Sequence, residues 1–524
     1  MVTSMISATA IAPESASAML RSRAAKLIYA RPLLIALLII IIATALRAPG
    51  SVEPDVAWQL WIGRQLDHGA RLYADITDTN PPLWFWMAMP VARLSELLHI
   101  RSDHVLIGLI GCAAALALIA TNSLLGSMDP FRRTLFLAYA ALTMVVMPWV
   151  DIGQREHIVL IGTIPYAALI AARRSEHRIP NGLAIGIGVG AALGFALKHY
   201  FFVVPVLLEA WLIVGLGRKW RSIRPETIAV ASVCAAYGIA SLLLAQGYFT
   251  KVVPMLLLAY GATGAKRLLD LFQPDVIVAL ASIALLISMR RSFRSAVSGP
   301  GSALLVASVG FSIVYFIQAK GWSYHALPML GCAVLALAAS LSSNLPRLAL
   351  VATPALLCLP FTIAAQQAQR QPGPERETEE AVRGMNAGDT VAFISADPSF
   401  GWHVIPQRKL RFVLRSNGFW MMQAIVTNEL RGGSDPRLTA LGRNIVSGAT
   451  ADLECRPARR IIVARPSVAA ARAGEFDILT FFLRDPEFAS VLAHYRPVER
   501  TSVEVFELAS SLPRRTDCPR WYPT

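Results

Sequence analysis

Ionisable and aromatic residues gather in four short stretches of an otherwise apolar chain. In chain order they are Glu53, Asp55, Asp75, Asp78 and Asn80; Asp151, Arg155, Glu156 and His157; Lys198, His199 and Tyr200; and Lys320, Trp322, Tyr324 and His325. Acids mixed with Lys, Arg and His suit the transfer of a group from a phosphate to a hydroxyl. Cations stabilise the departing phosphate, and a carboxylate takes the proton of the hydroxyl.

The composition indicates that these stretches belong to a membrane protein. Of the 524 residues, 55% are hydrophobic and 16% are charged, whereas about 25% are charged in an average soluble domain. The 49 Lys and Arg residues exceed the 34 Asp and Glu residues. They occur in short clusters between apolar runs and not on one polar face, which argues against a nucleic-acid-binding protein.

Eleven apolar runs are long enough to cross about 30 Å of hydrocarbon as helices. They lie near 32–48, 104–126, 134–149, 158–172, 181–197, 200–217, 227–246, 274–289, 302–318, 324–342 and 347–364. We interpret the first run as an uncleaved signal anchor; a cleaved signal peptide is the alternative. Residues 81–98 are interpreted as an amphipathic helix on the membrane surface, anchored there by Trp84 and Trp86, within a long outer loop 49–103.

The basic residues between the runs predict the orientation. If the basic N-terminal segment 1–31 is cytoplasmic, every predicted inner loop contains Arg or Lys, as the positive-inside rule expects. These residues are Arg132 and Arg133; Arg173, Arg174 and Arg178; Arg218, Lys219, Arg221 and Arg224; Arg290, Arg291 and Arg294; and Arg347. All four ionisable stretches then lie on the outer side, where they can converge on one cavity. Charges near membrane depth are costly and usually mark a site.

The chain becomes polar and Arg-rich after Ala365. Strand-like runs at 390–395 and 460–465 alternate with helical patterns, which predicts a linker over 366–389 and an α/β domain over 390–524 outside the cytoplasm. Cys455 and Cys518 lie in that domain; an oxidising compartment permits a disulfide between them, and the sequence leaves the pairing open. The predicted fold class is therefore a polytopic α-helical membrane protein of about eleven spans, with a catalytic membrane domain over 32–365 and a C-terminal α/β domain.

Each candidate residue also has a purely structural interpretation. The acids could cap helices, the lysines could extend to lipid headgroups, and the histidines could be hydrogen-bonding residues of the interface.

The order of the motifs resembles that of the GT-C glycosyltransferases, and within them the bacterial aminoarabinose transferases and protein O-mannosyltransferases. The resemblance covers roughly residues 30–365. It consists of an acid after the first span, the Pro-Pro-Leu aromatic segment 81–86, an acidic second outer loop, and a Lys between spans five and six. It implies a polyprenyl-phosphate sugar donor, a glycan, lipid or protein acceptor on the outer face, and inversion at the anomeric carbon.

The resemblance also implies roles for individual residues. Asp55 matches the family's first-loop catalytic Asp, a general base; Glu156 stands at the second acidic position, with Asp151 as an earlier candidate; Lys198 matches a Lys that meets the donor phosphate. The predicted substrate-binding residues are Asp78, Arg155, His157, Lys198, His199, Lys320, Tyr324 and His325. Val56 follows Asp55 where the family reads Asp-Glu, so we expect a divergent subfamily. No metal ligand is predicted, and a divalent cation stays an open alternative.

Two other function classes stay open, a lipid-linked glycan transporter or flippase and a non-catalytic envelope-assembly protein. A transporter needs a polar path to the cytoplasmic side, whereas the middle and inner ends of the predicted spans are almost purely apolar. Because the resemblance implies a bacterial protein, the expected location is the inner membrane, with membrane lipids as partners, the N-terminus in the cytoplasm and the C-terminal domain in the periplasm. A role in lipopolysaccharide or another envelope polymer is consistent with this location.

Overall fold

The computed structural model describes residues 31–126, 128–263, 267–292, 299–344, 358–365, 374–417, 419, 421–464, 476–500, 503–513, 515–516 and 518. Thirteen helices fill the described part of the N-terminal region. They are α1 Pro32–Arg47, α2 Pro54–Asp67, α3 Leu83–Leu98, α4 Ser102–Leu124, α5 Pro130–Val145, α6 Arg155–Arg174, α7 Asn181–Ala196, α8 Val203–Leu216, α9 Pro225–Leu244, α10 Val253–Thr263, α11 Pro274–Ser292, α12 Pro300–Gln318 and α13 Ser323–Asn344. A 3-10 turn, His199–Phe202, leads into α8, and residues 358–365 are helical.

Within the described residues, six helical segments are long and apolar enough to cross a membrane. They are Ser102–Leu124, Arg155–Arg174, His199–Lys219, Pro225–Leu244, Pro300–Gln318 and Ser323–Ser340, each at a predicted span. Three shorter apolar helices, Pro32–Arg47, Asn181–Ala196 and Pro274–Ser288, coincide with predicted spans one, five and eight. Most of the predicted eleventh span, 347–364, lies outside the described residues. The total of eleven spans stays a prediction.

Local sequence explains where several of these helices begin and end. Proline occupies the first turn of α1, α2, α5, α9 and α12, where its missing N–H costs no helical hydrogen bond. Asp129 caps α5 by accepting hydrogen bonds from the backbone N–H groups of Phe131 and Arg132. Helix α5 ends at Val145, earlier than the predicted span, since Pro148 cannot continue the backbone ladder.

The predicted outer loop 49–103 contains two packed helices, α2 and α3. A Cβ added at Gly63 of α2 would lie 2.5 Å from the Ala88 Cβ of α3, so the two backbones approach closely. Helix α3 covers the predicted amphipathic segment. The expectation that Trp84 anchors this helix to lipid is wrong, because Trp84 is buried and its indole N–H donates to the Gly153 carbonyl at 3.2 Å.

Helix α10 was not predicted as an element. Lys251 and Gly261 interrupt its apolar run, which leaves a helix too short to span a membrane. Its Ala259 packs in a buried cluster with Ala424 and Leu438 of the C-terminal region. The helix therefore forms part of the support for the C-terminal domain.

The C-terminal region contains a five-stranded mixed sheet with helices around it. Its elements are α14 Pro374–Ala381, β1 Thr390–Ile394, α15 Val404–Arg408, β2 Arg411–Phe412, α16 Met422–Leu430, α17 Pro436–Cys455, β3 Arg460–Ala464, α18 Ile478–Leu483, α19 Pro486–Leu492, β4 Tyr495–Arg500 and β5 Val503–Leu508. The strand order is β2-β1-β3-β5-β4. Strand β1 is parallel to β2 and β3, whereas β5 is antiparallel to β3 and β4.

The two runs predicted as strands form β1 and β3, so that prediction is confirmed. Both strands are buried over four consecutive residues, as central strands covered on two faces should be. Cys455 and Cys518 form a disulfide that ties the end of α17 to the C-terminal segment. The predicted linker contains a helix, α14. Its last residue, Ala381, and the following Val382 pack in the hydrophobic core.

Candidate functional site

The predicted functional residues meet at the N-terminal end of α6. Two neighbours in the sequence, Arg155 and Glu156, begin this helix, and each is buried and bonded to a different set of side chains. The first set, around Arg155, contains acids of the predicted outer loop. The second set, around Glu156, contains Lys198 and His325 from later in the chain.

Arg155 holds Asp55, which lies in the first turn of α2. Its Nη2 atom donates to Asp55 Oδ2 at 3.1 Å, and its Nη1 atom contacts Asn80 Oδ1. The Gln59 amide, one turn along α2, also donates to Asp55 Oδ2, at 3.0 Å. The Arg155 side chain is 4% exposed and that of Asp55 is 28% exposed, so Asp55 is the member of the pair that a substrate can reach.

Asp78 fixes the residue that Arg155 contacts. The backbone N–H and the side-chain amide of Asn80 donate to Asp78 Oδ1 at 2.7 and 3.0 Å. The indole N–H of Trp58 donates to Asp78 Oδ2 at 2.7 Å. Burial raises the pKa of Asp78, although these donors oppose the shift. Asp78 thus acts on the cluster through Asn80 and not by direct contact with Asp55.

Glu156 holds a lysine in the second set. Lys198, in the turn between α7 and α8, donates from Nζ to Glu156 Oε1 at 2.6 Å. The same Nζ lies 3.3 Å from Gln318 Oε1 and 3.2 Å from His325 Nε2. His325 Nε2 lies 3.5 Å from Glu156 Oε1. One carboxylate therefore balances the charge of a buried ammonium where α6, α12, α13 and the turn between α7 and α8 meet.

A further carboxylate supports the start of α2. Glu53 accepts hydrogen bonds from the Asp55 backbone N–H at 3.0 Å and from the Gln154 amide at 2.7 Å. Burial, together with the negative charges of Asp55 and Asp151, raises the pKa of Glu53 to about 8. Asp151 is buried in the loop before α6, close enough to act on Glu53 electrostatically.

Three buried polar atoms on ionisable side chains of the two sets have no hydrogen-bond partner within the described part of the chain. They are Arg155 Nε, Glu156 Oε2 and His325 Nδ1. A buried polar atom without a partner costs free energy, and most such atoms in proteins are paired. Because the three atoms belong to the same cluster, they are positions at which a polar ligand or water can bind.

The other predicted binding residues lie around this cluster or within its scaffold. The Tyr324 ring centroid is 5.9 Å from Lys198 Nζ. The Lys320 ammonium lies 3.2 Å from the centroid of the Tyr260 ring on α10, and burial lowers the pKa of Lys320 to about 8. The His199 ring lies against that of Tyr200, with centroids 3.8 Å apart and ring planes tilted by 45°.

His157 has its ring nitrogens occupied by backbone groups. The Gly153 N–H donates to Nδ1 at 3.1 Å, and Nε2 lies 2.6 Å from the Met144 carbonyl oxygen. This pattern fits a neutral ring with its proton on Nε2. The ring connects α5 to the loop before α6 and so steadies the segment that carries Arg155 and Glu156. No contact in the described residues brings it to Asp55 or Lys198.

The described residues contain no group of three or more His, Cys, Asp or Glu side chains arranged to hold a metal ion. Sequence reasoning missed three polar members of the site: Gln59, Gln318 and the indole donor Trp58. The four-residue spacing of Gln59 from Asp55 is a usable signal, because such residues are neighbours on one helix face. Gln318 is a neutral residue at the end of a span, and nothing in the sequence distinguishes it.

The fold is similar to those of GT-C glycosyltransferases across most of the chain, at low sequence identity. ArnT from Cupriavidus metallidurans bound to undecaprenyl phosphate has a TM-score of 0.49 and 11% identity, over 91% of this chain and 97% of that one. The Archaeoglobus fulgidus oligosaccharyltransferase complex with zinc and sulfate has a TM-score of 0.46 and 12% identity, over 88% of this chain and 71% of that one.

A mutant of the mycobacterial arabinofuranosyltransferase AftD has a TM-score of 0.42 and 13% identity, over 92% of this chain and 42% of that one. No protein-family model matches the sequence, and no curated protein matches it.

Proposed function

We propose that this chain is a GT-C-type membrane glycosyltransferase that moves a sugar from a polyprenyl-phosphate donor to an envelope glycan, lipid or protein. The observation that carries the proposal is a pair of neighbouring contacts at the start of α6: the accessible carboxylate of Asp55 pairs with buried Arg155, and the next residue, Glu156, pairs with Lys198. Group transfer from a phosphate needs a base for the acceptor and positive charge for the leaving group.

Asp55 is proposed as the general base. The hydrogen bonds to its side chain from described residues, those of Gln59 and Arg155, go to Oδ2. Oδ1 is therefore the oxygen proposed to take the acceptor proton. In the proposed step the acceptor oxygen attacks the anomeric carbon, the bond from that carbon to the phosphate oxygen breaks with its electron pair on the phosphate, and the hydroxyl proton passes to Asp55. A single displacement inverts the anomeric carbon.

Lys198 and Arg155 are proposed to stabilise the departing polyprenyl phosphate. Both side chains are almost fully buried, and a charge in such surroundings interacts more strongly with a ligand than it does in water. Glu156 and Asp151 stay predicted as further acids of the site. The 2.6 Å contact of Glu156 with Lys198 supports a role for Glu156 in holding the ammonium in place. Tyr324, His325, Lys320 and His199 are proposed to contact the sugar or the phosphate.

The proposed location is the bacterial inner membrane, with about eleven spans, the N-terminus in the cytoplasm and the site on the periplasmic side. The Cys455–Cys518 disulfide supports an oxidising compartment for the C-terminal domain. The domain contacts α2, the helix that carries Asp55 in its first turn, so the domain and the site share one side of the membrane.

The test is mass spectrometry of polyprenyl-phosphate lipids and envelope glycans. The cells compared carry the wild type, a deletion, Asp55→Asn, or the control Asp67→Asn, at matched protein level. Asp67 lies at the other end of α2 and pairs with Arg93 at the surface. Asp67→Asn is therefore the same substitution on the same helix, but away from the candidate site. We expect the deletion and Asp55→Asn to accumulate one sugar-charged polyprenyl phosphate and to lose one glycan residue, whereas Asp67→Asn resembles the wild type.

An Asp55→Asn strain with wild-type lipids and glycans would overturn catalysis through Asp55. If the deletion alone then changed the envelope, a transport or assembly role would replace the transferase.

A further inference from the structure

A cluster of aromatic rings joins the C-terminal domain to α2. Trp58 is completely buried, and its ring centroid lies 4.8 Å from that of Trp402 and 6.2 Å from that of Phe412. Trp61, one turn further along α2, stacks on Trp58 at 4.9 Å and also faces Trp402. Buried aromatic pairs of this kind contribute specific geometry beyond their apolar area.

The same Trp58 is bonded to the candidate site on its other edge. It follows Asp55 by three residues on α2, and its indole N–H donates to Asp78 Oδ2 at 2.7 Å. Asp78 in turn holds both amide groups of Asn80, which contacts Arg155. A continuous series of contacts therefore runs from the C-terminal domain to the Arg155–Asp55 pair.

A second contact holds the residue before Asp78. The backbone N–H of Thr77 donates to the Arg415 carbonyl at 2.8 Å. Arg415 is itself anchored in the C-terminal domain: Asp452 accepts its backbone N–H at 2.7 Å and its Nη2 at 2.7 Å. The segment 77–78 is thus attached to the C-terminal domain on two sides, once through the backbone and once through Trp58.

We propose that the C-terminal domain positions the catalytic pair of the membrane domain, with Trp402 and Phe412 as positioning residues that act through Trp58, Asp78 and Asn80. The inference rests on the proposed function of Asp55 as general base. The domain then controls turnover without touching donor or acceptor. A rigid support of this kind matters because a displacement of about 1 Å in a catalytic group can cost about 100-fold in rate.

The variants that test this are Trp58→Phe, Trp402→Ala and Trp402→Phe in the full-length protein. Trp58→Phe keeps an aromatic ring but deletes the N–H that donates to Asp78. Trp402→Ala removes the ring that faces Trp58, and Trp402→Phe restores an aromatic ring there. The control is Phe488→Ala, which empties an equally buried aromatic position elsewhere in the same domain, packed on Phe482.

The first readout is hydrogen exchange of the backbone amides in residues 75–80 of the purified protein. We expect faster exchange in Trp58→Phe and Trp402→Ala, near wild-type exchange in Trp402→Phe, and no change in this segment in Phe488→Ala. The positioning role is overturned if Trp402→Ala and Phe488→Ala change the segment equally, because the effect is then general loosening of the domain.

The second readout is consumption of the sugar-charged polyprenyl-phosphate fraction purified from the deletion strain, by the protein in liposomes. We expect kcat to fall on the order of 10- to 100-fold in Trp58→Phe and Trp402→Ala, with the KM for this lipid fraction nearly unchanged, and to recover in Trp402→Phe. If Asp55→Asn is inactive while Trp58→Phe and Trp402→Ala are fully active, only the positioning role is overturned. Fully active Asp55→Asn overturns the proposed function itself, whatever the exchange pattern.

Discussion

At the scale of single residues, the candidate site is a balance of charges. Arg155 faces Asp55, and Lys198 faces Glu156, so each buried cation has a carboxylate within 3.1 Å. Removing one partner of a buried pair leaves an uncompensated charge, whereas replacing both partners by neutral groups can be almost neutral for stability. Comparing a single variant with the double variant of the Lys198–Glu156 pair therefore separates the contribution of Lys198 to stability from its contribution to activity.

We therefore expect Lys198→Met to lower the free energy of unfolding by about 3 kcal/mol, because Glu156 is left buried without its ammonium. The double variant Lys198→Met with Glu156→Gln should recover most of this loss and still be inactive, since Arg155 alone does not replace the missing ammonium at the donor phosphate. Thermal melting in detergent and consumption of the lipid donor measure the two properties. A double variant that regains activity would show that Lys198 serves the fold alone.

Glu53 gives the site a pH dependence whose sign follows from its raised pKa. The folded protein keeps the Glu53 proton up to about pH 8, while the unfolded chain loses it near its ordinary value of 4.5. The contribution of Glu53 to stability is then present below about pH 4.5 and is lost as the pH rises to about 8. We expect Glu53→Gln, which cannot titrate, to gain melting temperature relative to the wild type across this window. If the melting temperatures of Glu53→Gln and the wild type changed with pH in the same way over this window, the raised pKa of Glu53 would be contradicted.

The sequence predicted which ionisable residues gather near the start of α6, because charge in an apolar chain is conspicuous. It could not predict their partners. The contact of Trp58 with Trp402 joins residues more than 300 positions apart, and Gln318 is an uncharged side chain without a local signal. Such contacts are made by the tertiary fold and leave no periodic pattern in the chain.

At the scale of elements, the two outer-loop helices decide where Asp55 stands. Helix α2 carries Asp55 at its start, and α3 packs along it through the close approach of Gly63 to Ala88. Strands β1 and β3 were predictable because buried apolar runs bounded by polar residues are a strong strand signal. Helix α10 was missed since a short, interrupted apolar run does not distinguish a helix from a loop.

Gly63→Ala should push α2 away from α3. The added Cβ would lie 2.5 Å from the Ala88 Cβ and 2.8 Å from its backbone carbonyl carbon, and a backbone atom cannot turn aside as a flexible side chain can. We expect a loss of about 1–3 kcal/mol in stability, together with lower activity.

The matched control is Gly108→Ala on α4, where an added Cβ meets nothing within 4 Å. There alanine should leave stability unchanged or raise it by up to about 1 kcal/mol through helix propensity. Melting temperature and donor consumption measured on both variants decide the matter. Equal effects at the two positions would mean that the contact between α2 and α3 does not position Asp55.

At the scale of the whole molecule, the orientation of the chain in the membrane decides which substrates can reach the site. The C-terminal domain packs against Trp58 close to Asp55, so both lie on one side whichever way the protein is inserted. The predicted inner loops carry the basic clusters, which the positive-inside rule assigns to the cytoplasm. This rule predicts that the domain and the site are periplasmic, and the Cys455–Cys518 disulfide is consistent with that prediction.

Single cysteines at two exposed positions test this orientation. His177→Cys lies between α6 and α7 in a predicted inner loop, and Arg443→Cys lies on α17 of the C-terminal domain. Both are placed in a background in which Cys112, Cys234, Cys332 and Cys358 are replaced by alanine, while the disulfide cysteines are kept because they do not react with a maleimide.

A maleimide that cannot cross the inner membrane should label Arg443→Cys in intact cells and His177→Cys only after lysis. The opposite labelling pattern would mean that the candidate site faces the cytoplasm. The acceptor would then have to be a cytoplasmic molecule. Labelling of both positions in intact cells would mean that α6 and α7 do not separate them from the outside, which contradicts the predicted parity of the spans. The expected pattern fixes the side on which donor and acceptor must meet, because Asp55 and the C-terminal domain cannot lie on opposite sides of the membrane.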